Sequence, residues 1–156
     1  MKNKQKGFSL IELLIVVAII LIIAAIAIPN LLRSKMAANE ASAVGSLRTL
    51  NTAAVTFSIT YSGYPSALTN FGPATPATST SADLVDSVLS GGIKSGYSFS
   101  WSAGTADVSG NIQTYSIAAS PTIVGTTGQR YFYTDQSGVI RANTSGIANA
   151  NSTPIS

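Results

Sequence analysis

Residues 7–30 read GFSLIELLIVVAIILIIAAIAIPN, an apolar run from Phe8 to Ile28 interrupted by one charged side chain, Glu12. The run is 21 residues long, about 31 Å as an α-helix, which matches the roughly 30 Å hydrocarbon layer of a bilayer. A secretory h-region is shorter, about 7–15 residues, so AAIAIP at 24–29 reads as part of a membrane helix rather than as a cleavage site. A carboxylate in such a helix opposes insertion by roughly 2.5–3.5 kcal/mol near the midplane and less near the interface. Glu12 therefore needs a reason to be there.

The flanks orient the segment. Lys2, Lys4 and Lys6 precede it, and the positive-inside rule keeps them cytoplasmic, although Arg33 and Lys35 on the far side weaken the asymmetry. The chain has nine Lys and Arg against six Asp and Glu. The three N-terminal lysines supply the whole excess, so the remainder is near neutral. Nucleic-acid binding by bulk charge is excluded on that ground, since it needs clustered cations. With neither Cys nor His, the chain lacks a thiol nucleophile, a disulfide framework, and the commonest general base and metal ligand. No catalytic residue, cofactor or metal site is expected.

Beyond the apolar run, Ala43, Leu47, Leu50, Ala54, Phe57 and Tyr61 recur at spacings of four and three, the stripe of an amphipathic helix, with Arg48, Asn51 and Thr52 opposite. One long helix over 8–62 is expected, with Pro29 as a candidate kink and Gly63 followed by Tyr64-Pro65 as its stop. Residues 65–81 read as loop, and 82–89 as a short helix capped by Ser81. Strand patterns cover 97–101, 113–118, 130–134 and 139–142, the last two joined by a turn over Asp135–Gly138. The fold class is α+β: three or four antiparallel strands against the helical stripe. The expected division is 1–7 leader, 8–29 apolar helix, 30–62 amphipathic helix, 63–142 globular part, and 143–156 a loose polar tail.

The stretch KGFSLIE, the apolar run behind it and Pro29 resemble the N-terminus of the type IV pilin family, which includes the pseudopilins of type II secretion. The resemblance covers about residues 8–30. It implies cleavage after Gly7 by a membrane prepilin peptidase and methylation of the new amine of Phe8. It also implies an inter-subunit salt bridge from Glu12 to the Phe8 amine of a neighbour in a helical homo-oligomer. Physical chemistry supports that last role: a lone carboxylate in low dielectric is unfavourable but strongly attracted to a nearby cation. Glu12 would then set the register of an incoming subunit, as buried polar residues do in coiled coils. The implied course is a precursor in the bacterial inner membrane, handled by inner-membrane assembly machinery, and then an extracellular filament. Two departures stand out. Leu21 occupies the place of a family glycine, which makes unwinding before Pro29 less expected, and the C-terminal cysteine pair of many members is missing.

Weaker candidates have plainer readings. Asp135, Ser137 and Gly138 faintly resemble a calcium loop, but a calcium site needs six or more oxygens and usually several carboxylates, so a turn is preferred. Tyr97, Phe99, Trp101, Tyr131, Phe132 and Tyr133 form a candidate stacking platform for sugar or nucleic acid; without interleaved cations, packing is preferred. Asn143 and Asn151 fit the N-x-S/T pattern. Asp83 and Asp86 lie three apart but have no catalytic partner. The preferred function is that of a filament subunit. The alternatives are a major pseudopilin, favoured by Tyr61-x-x-Tyr64-Pro65, or a membrane-anchored monomeric binding module.

Overall fold

The structure, a computed structural model, describes residues 7–155. The chain falls into two compact units, Met1–Lys35 and Met36–Ser156. Its first element, α1, is a helix over Leu10–Tyr61 with Pro29 inside it. The stretch from Leu21 to Pro29 is helical throughout. In the first unit the large apolar side chains from Phe8 to Leu32 are all exposed. They make this part of α1 long and apolar enough to cross a membrane.

The second unit has its own core. The expected stripe is its helical side: Ala43, Leu47, Leu50, Ala54 and Phe57 are buried, and Tyr61 packs at the margin. Six antiparallel strands form the other side: β1 (Ile93–Lys94), β2 (Tyr97–Ala103), β3 (Tyr115–Pro121), β4 (Tyr131–Asp135), β5 (Arg141–Asn143) and β6 (Thr153–Pro154). They pair in sequence order, a meander, so every connection joins neighbouring strands. Alternation decides which side chains face α1. Tyr97 and Phe99 from β2, Tyr115, Ile117 and Ala119 from β3, and Phe132 from β4 point into the core. Serines fill the opposite face of β2. Burying one Leu or Phe contributes roughly 1.5–3 kcal/mol, so this stripe-on-sheet contact is the main stabilising feature of the unit.

Several expected boundaries moved. The left-handed residue after α1 is Ser62 (φ 63°) rather than Gly63. Gly63 is favoured instead by close approach, since a Cβ there would lie 3.1 Å from the Ile112 backbone nitrogen and oxygen. The helix expected over 82–89 is confined to α2, Ser87–Ser90, and its cap is Asp86, whose Oδ1 accepts the Leu89 N–H at 2.8 Å. Residues 82–85 are drawn away because their N–H groups donate to the carbonyls of Asn70, Phe71 and Gly72. Ser81 turns its hydroxyl to Gly72 O as well. The loop 65–81 holds a short 3-10 helix, Leu68–Phe71, which sends both of its end residues into the core. The tail is ordered: β6 pairs with β5, Ala148 is buried, and Ile155 donates its N–H to Ile140 O and packs on the core.

Candidate functional site

The N-terminal motif begins at the start of the described chain. Among the described residues nothing lies within 4 Å of a Cβ placed on Gly7, and Phe8 is 83% exposed. Lys2, Lys4 and Lys6 lie outside the described residues. Ser9 is the residue from which α1 springs: its carbonyl accepts the Leu13 N–H at 3.2 Å, the first intrahelical bond. Glu12 reaches back, and its Oε2 accepts the Ser9 N–H at 2.9 Å. Ser-x-x-Glu at this position is half of a capping box, in which the third helical residue satisfies an N–H that has no carbonyl partner of its own. A carboxylate in the first turn also meets the positive end of the helix dipole. Glu12 thus has a local partner within its own chain, which occupies one of its two oxygens. The S-x-x-E spacing is itself a sequence signal for this cap, masked by the apolar run in which it stands.

A second carboxylate escaped sequence reading. Glu40 is buried on α1 although it is charged. Its Oε1 accepts the N–H groups of Gln129 and Arg130 at 2.9 and 3.2 Å, and its Oε2 accepts Arg130 Nε–H at 2.7 Å. Burial by itself pushes the carboxyl up, but these hydrogen bonds and the guanidinium charge outweigh it and hold Glu40 below its ordinary value. Beside it, Asn39 Nδ2 donates to Thr127 O at 2.8 Å. Glu40 and Asn39 together fasten the loop 122–130 to the helix. The clue was available, since Glu40 continues the 3-and-4 spacing of the stripe one step before Ala43. Asn51 also differs from its expected place on the solvent face. Its Nδ2 donates to the buried Thr134 hydroxyl at 2.9 Å, and its Oδ1 accepts the Tyr115 hydroxyl at 3.1 Å. Burial, with smaller contributions from Tyr64 and Asp135, pushes the Tyr115 phenol up to about 12.

The weaker candidates are dispersed. Asp135 Oδ1 accepts the Ser137 N–H, and Gly138 closes the turn at φ 73°. Among the described residues there is no group of three or more His, Cys, Asp or Glu placed to hold a metal. The aromatic platform splits across the sheet: Tyr97, Phe99 and Phe132 are buried, while Tyr131 and Tyr133 stay half-exposed. Trp101 stacks on Tyr115 at 4.5 Å with planes 8° apart and donates Nε1–H to Pro65 O. Asn143 Oδ1 accepts from both the N–H and the hydroxyl of Ser145. Asp86 caps α2 and pairs with Lys94 at 2.8 Å. The Lys94 hydrogen bond first, and the Leu89 N–H next, hold its carboxyl below the usual range.

Comparison with known proteins turns on the N-terminal end. The model of the prokaryotic N-terminal methylation motif matches residues 2–28. Among curated proteins, the type IV wide pilus major component PilA4 of Thermus thermophilus is 62% identical over 40 residues, covering 26% of this chain and 30% of PilA4. The type IV major pilin protein PilA of Myxococcus xanthus is 48% identical over 54 residues, 35% of this chain and 24% of PilA. The type IV major fimbrial protein FimA of Dichelobacter nodosus is 54% identical over 52 residues, 31% of this chain and 33% of FimA. The chain thus spans a third or less of the length of these relatives. In its methylation motif and the first part of its long helix the chain is thus similar to type IV major pilins, and its α+β fold is pilin-like.

Proposed function

We propose that the chain is the structural subunit of a type IV pilus-like filament, with a role in assembly rather than catalysis. One observation carries the reading: among the described residues the large apolar side chains from Phe8 to Leu32 are all exposed, and most of them lie within the methylation motif. Such a surface is stable only in lipid or against other apolar helices, and exchange between the two has a small free-energy difference, so packing and polar pairing decide the outcome. Residues 1–7 are the leader. A prepilin peptidase cuts after Gly7 and methylates the Phe8 amine. Residues 8–29 hold the precursor in the inner membrane and then line the filament core. Residues 30–62 continue as the amphipathic helix under the globular part 63–142, with Pro29 as the kink and 143–156 as the C-terminal segment. Inner-membrane machinery assembles the filament, which lies outside the cell.

Glu12 has two competing partners in this scheme. In the free subunit its carboxylate caps its own helix at Ser9. In the filament its second oxygen pairs with the Phe8 amine of a neighbour, an attraction that the low dielectric strengthens. The test is the intact mass of the chain recovered from the sheared extracellular fraction. The expected species lacks residues 1–7 and carries one added methyl group. A full-length chain confined to membranes would overturn the reading and favour an anchored binding module. A processed chain whose deletion blocks protein export without removing surface fibres would move it to the pseudopilins.

A further inference from the structure

Beside the C-terminal end of α1 lies a cleft of about 230 Å³, walled by the last turn of the helix, the turn that follows it, and the tip of the 107–112 hairpin. Its walls are fastened before any ligand arrives. Tyr64 N–H donates to Ile112 O at 2.7 Å. Trp101 Nε1–H holds Pro65 O at 2.9 Å. Asp107 Oδ1 accepts the N–H groups of Ser109 and Asn111, which shapes the hairpin tip. The aromatic lining is braced from behind, Tyr61 against Phe57 and Tyr64 against Tyr115, each with ring centroids 4.6 Å apart.

The lining has a definite chemistry. Tyr61 and Tyr64 provide apolar ring surface over the buried Phe57, while Asn111, Ser66 and Ser79 bring polar groups to the rim. Asn111 serves the hairpin turn through its backbone N–H, which leaves its amide as donor and acceptor. The Tyr61 and Tyr64 hydroxyls take no part in the bonds that fasten the walls. Among the described residues, no Lys, Arg, Asp or Glu lines the cleft, so it offers no counter-charge to phosphate, carboxylate or amine. The volume lies below the roughly 300–1,000 Å³ that holds drug-sized ligands, which leaves room for one ring. Apolar ring faces joined to neutral donors and acceptors suit a molecule with a C–H face and a hydroxyl edge.

We propose that this cleft binds one neutral pyranose ring, the terminal residue of a glycan. Tyr61 and Tyr64 stack on its C–H face, and the Asn111 amide and the Tyr64 hydroxyl read its hydroxyls. The site lies within the unit Met36–Ser156 and does not depend on assembly into filaments, so its failure leaves the filament reading untouched.

The test is saturation-transfer NMR on the full chain in a zwitterionic detergent with no sugar headgroup. The probes are the methyl glycosides of glucose, galactose and N-acetylglucosamine, with N-acetylneuraminic acid as an anionic control. Saturation is expected on the ring protons of at least one neutral glycoside and not on the anion. A disaccharide of the same sugar is expected to receive it on one ring. Asn111→Ala and Tyr64→Phe each remove one neutral hydrogen-bonding group and leave the packed rings in place. Each is expected to weaken binding about five- to tenfold, with the thermal melt unchanged as the check on folding. The proposal is overturned if no probe is saturated, if the anion is saturated equally, if both disaccharide rings are, or if binding survives undiminished in the double variant.

Discussion

From Leu10 to Leu32 and from Glu40 to Phe57 the chain forms the same secondary structure for opposite reasons. In the first stretch all the large apolar side chains are exposed. In the second, one stripe is buried against a sheet and the opposite face carries Arg48, Thr52 and Thr56 to solvent. The second stretch is stabilised by its own chain and the first by whatever surrounds it, lipid or neighbouring helices. The same contrast holds for their carboxylates. Glu40 meets three donors from the 129–130 backbone and Arg130. Among the described residues Glu12 meets one, the Ser9 N–H of its own helix. A segment satisfied within the chain confers stability on the subunit, whereas a segment left unsatisfied is available for association.

Substitutions on the two sides of this contrast separate assembly from stability. Glu12→Ala is expected to have the largest effect, insertion at the wild-type level with filament yield reduced more than tenfold, as when one partner of a desolvated pair is removed at roughly 3–5 kcal/mol. Sheared fibres counted by immunoblot measure it, and normal yield would break the contrast. Leu50→Ala is expected to destabilise the globular unit by about 2–5 kcal/mol, read from thermal melts of the full chain in detergent. Leu14→Ala should leave the same melt unmoved, because its side chain is exposed.

Glu40→Gln sharpens the comparison between the carboxylates. It is expected to lower stability by about 1–2 kcal/mol, since the charge-assisted bond to the partly exposed Arg130 becomes a neutral one. Glu40 is held below its ordinary value of 4.5, so as pH falls the unfolded chain takes up the proton first. The Glu40 contribution is complete above about pH 4.5 and is lost as pH falls through the lower folded value. Acid melts of the wild type should steepen below that point, and those of Glu40→Gln should be flatter. The smallest effect is expected for Asp86→Ala, about 1 kcal/mol for a lost helix cap, with no change in filament yield.

Periodicity and local chemistry make several features legible in the amino-acid order itself. The stripe from Ala43 to Tyr61 follows from spacing alone, and every member packs on the core or at its margin. The strands around Tyr97–Trp101 and Tyr131–Thr134 follow from alternation, and the Asp135–Gly138 turn from its residue types. The methylation motif is equally plain, because it is contiguous. Less is legible where partners distant in sequence decide. Residues 82–85 have helix-compatible composition, yet their N–H groups are taken by carbonyls at 70–72. The tail has little to bury, yet β6 is recruited because β5 leaves an open edge and Ile155 finds a place on the core.

Local rules of period, charge and spacing are therefore enough to identify the membrane-length helix, the amphipathic stripe, the α+β class and the N-terminal methylation motif, since each depends on near neighbours in the sequence. Only the tertiary structure reveals that Glu40 is satisfied by Arg130, ninety positions away, and that Asn51 joins Thr134 and Tyr115 across the core. The same holds for the cleft, where Tyr61, Tyr64 and Asn111 come together. Burial and hydrogen-bond satisfaction are properties of three-dimensional neighbours, and a linear pattern does not contain those until the sheet has closed over the helix.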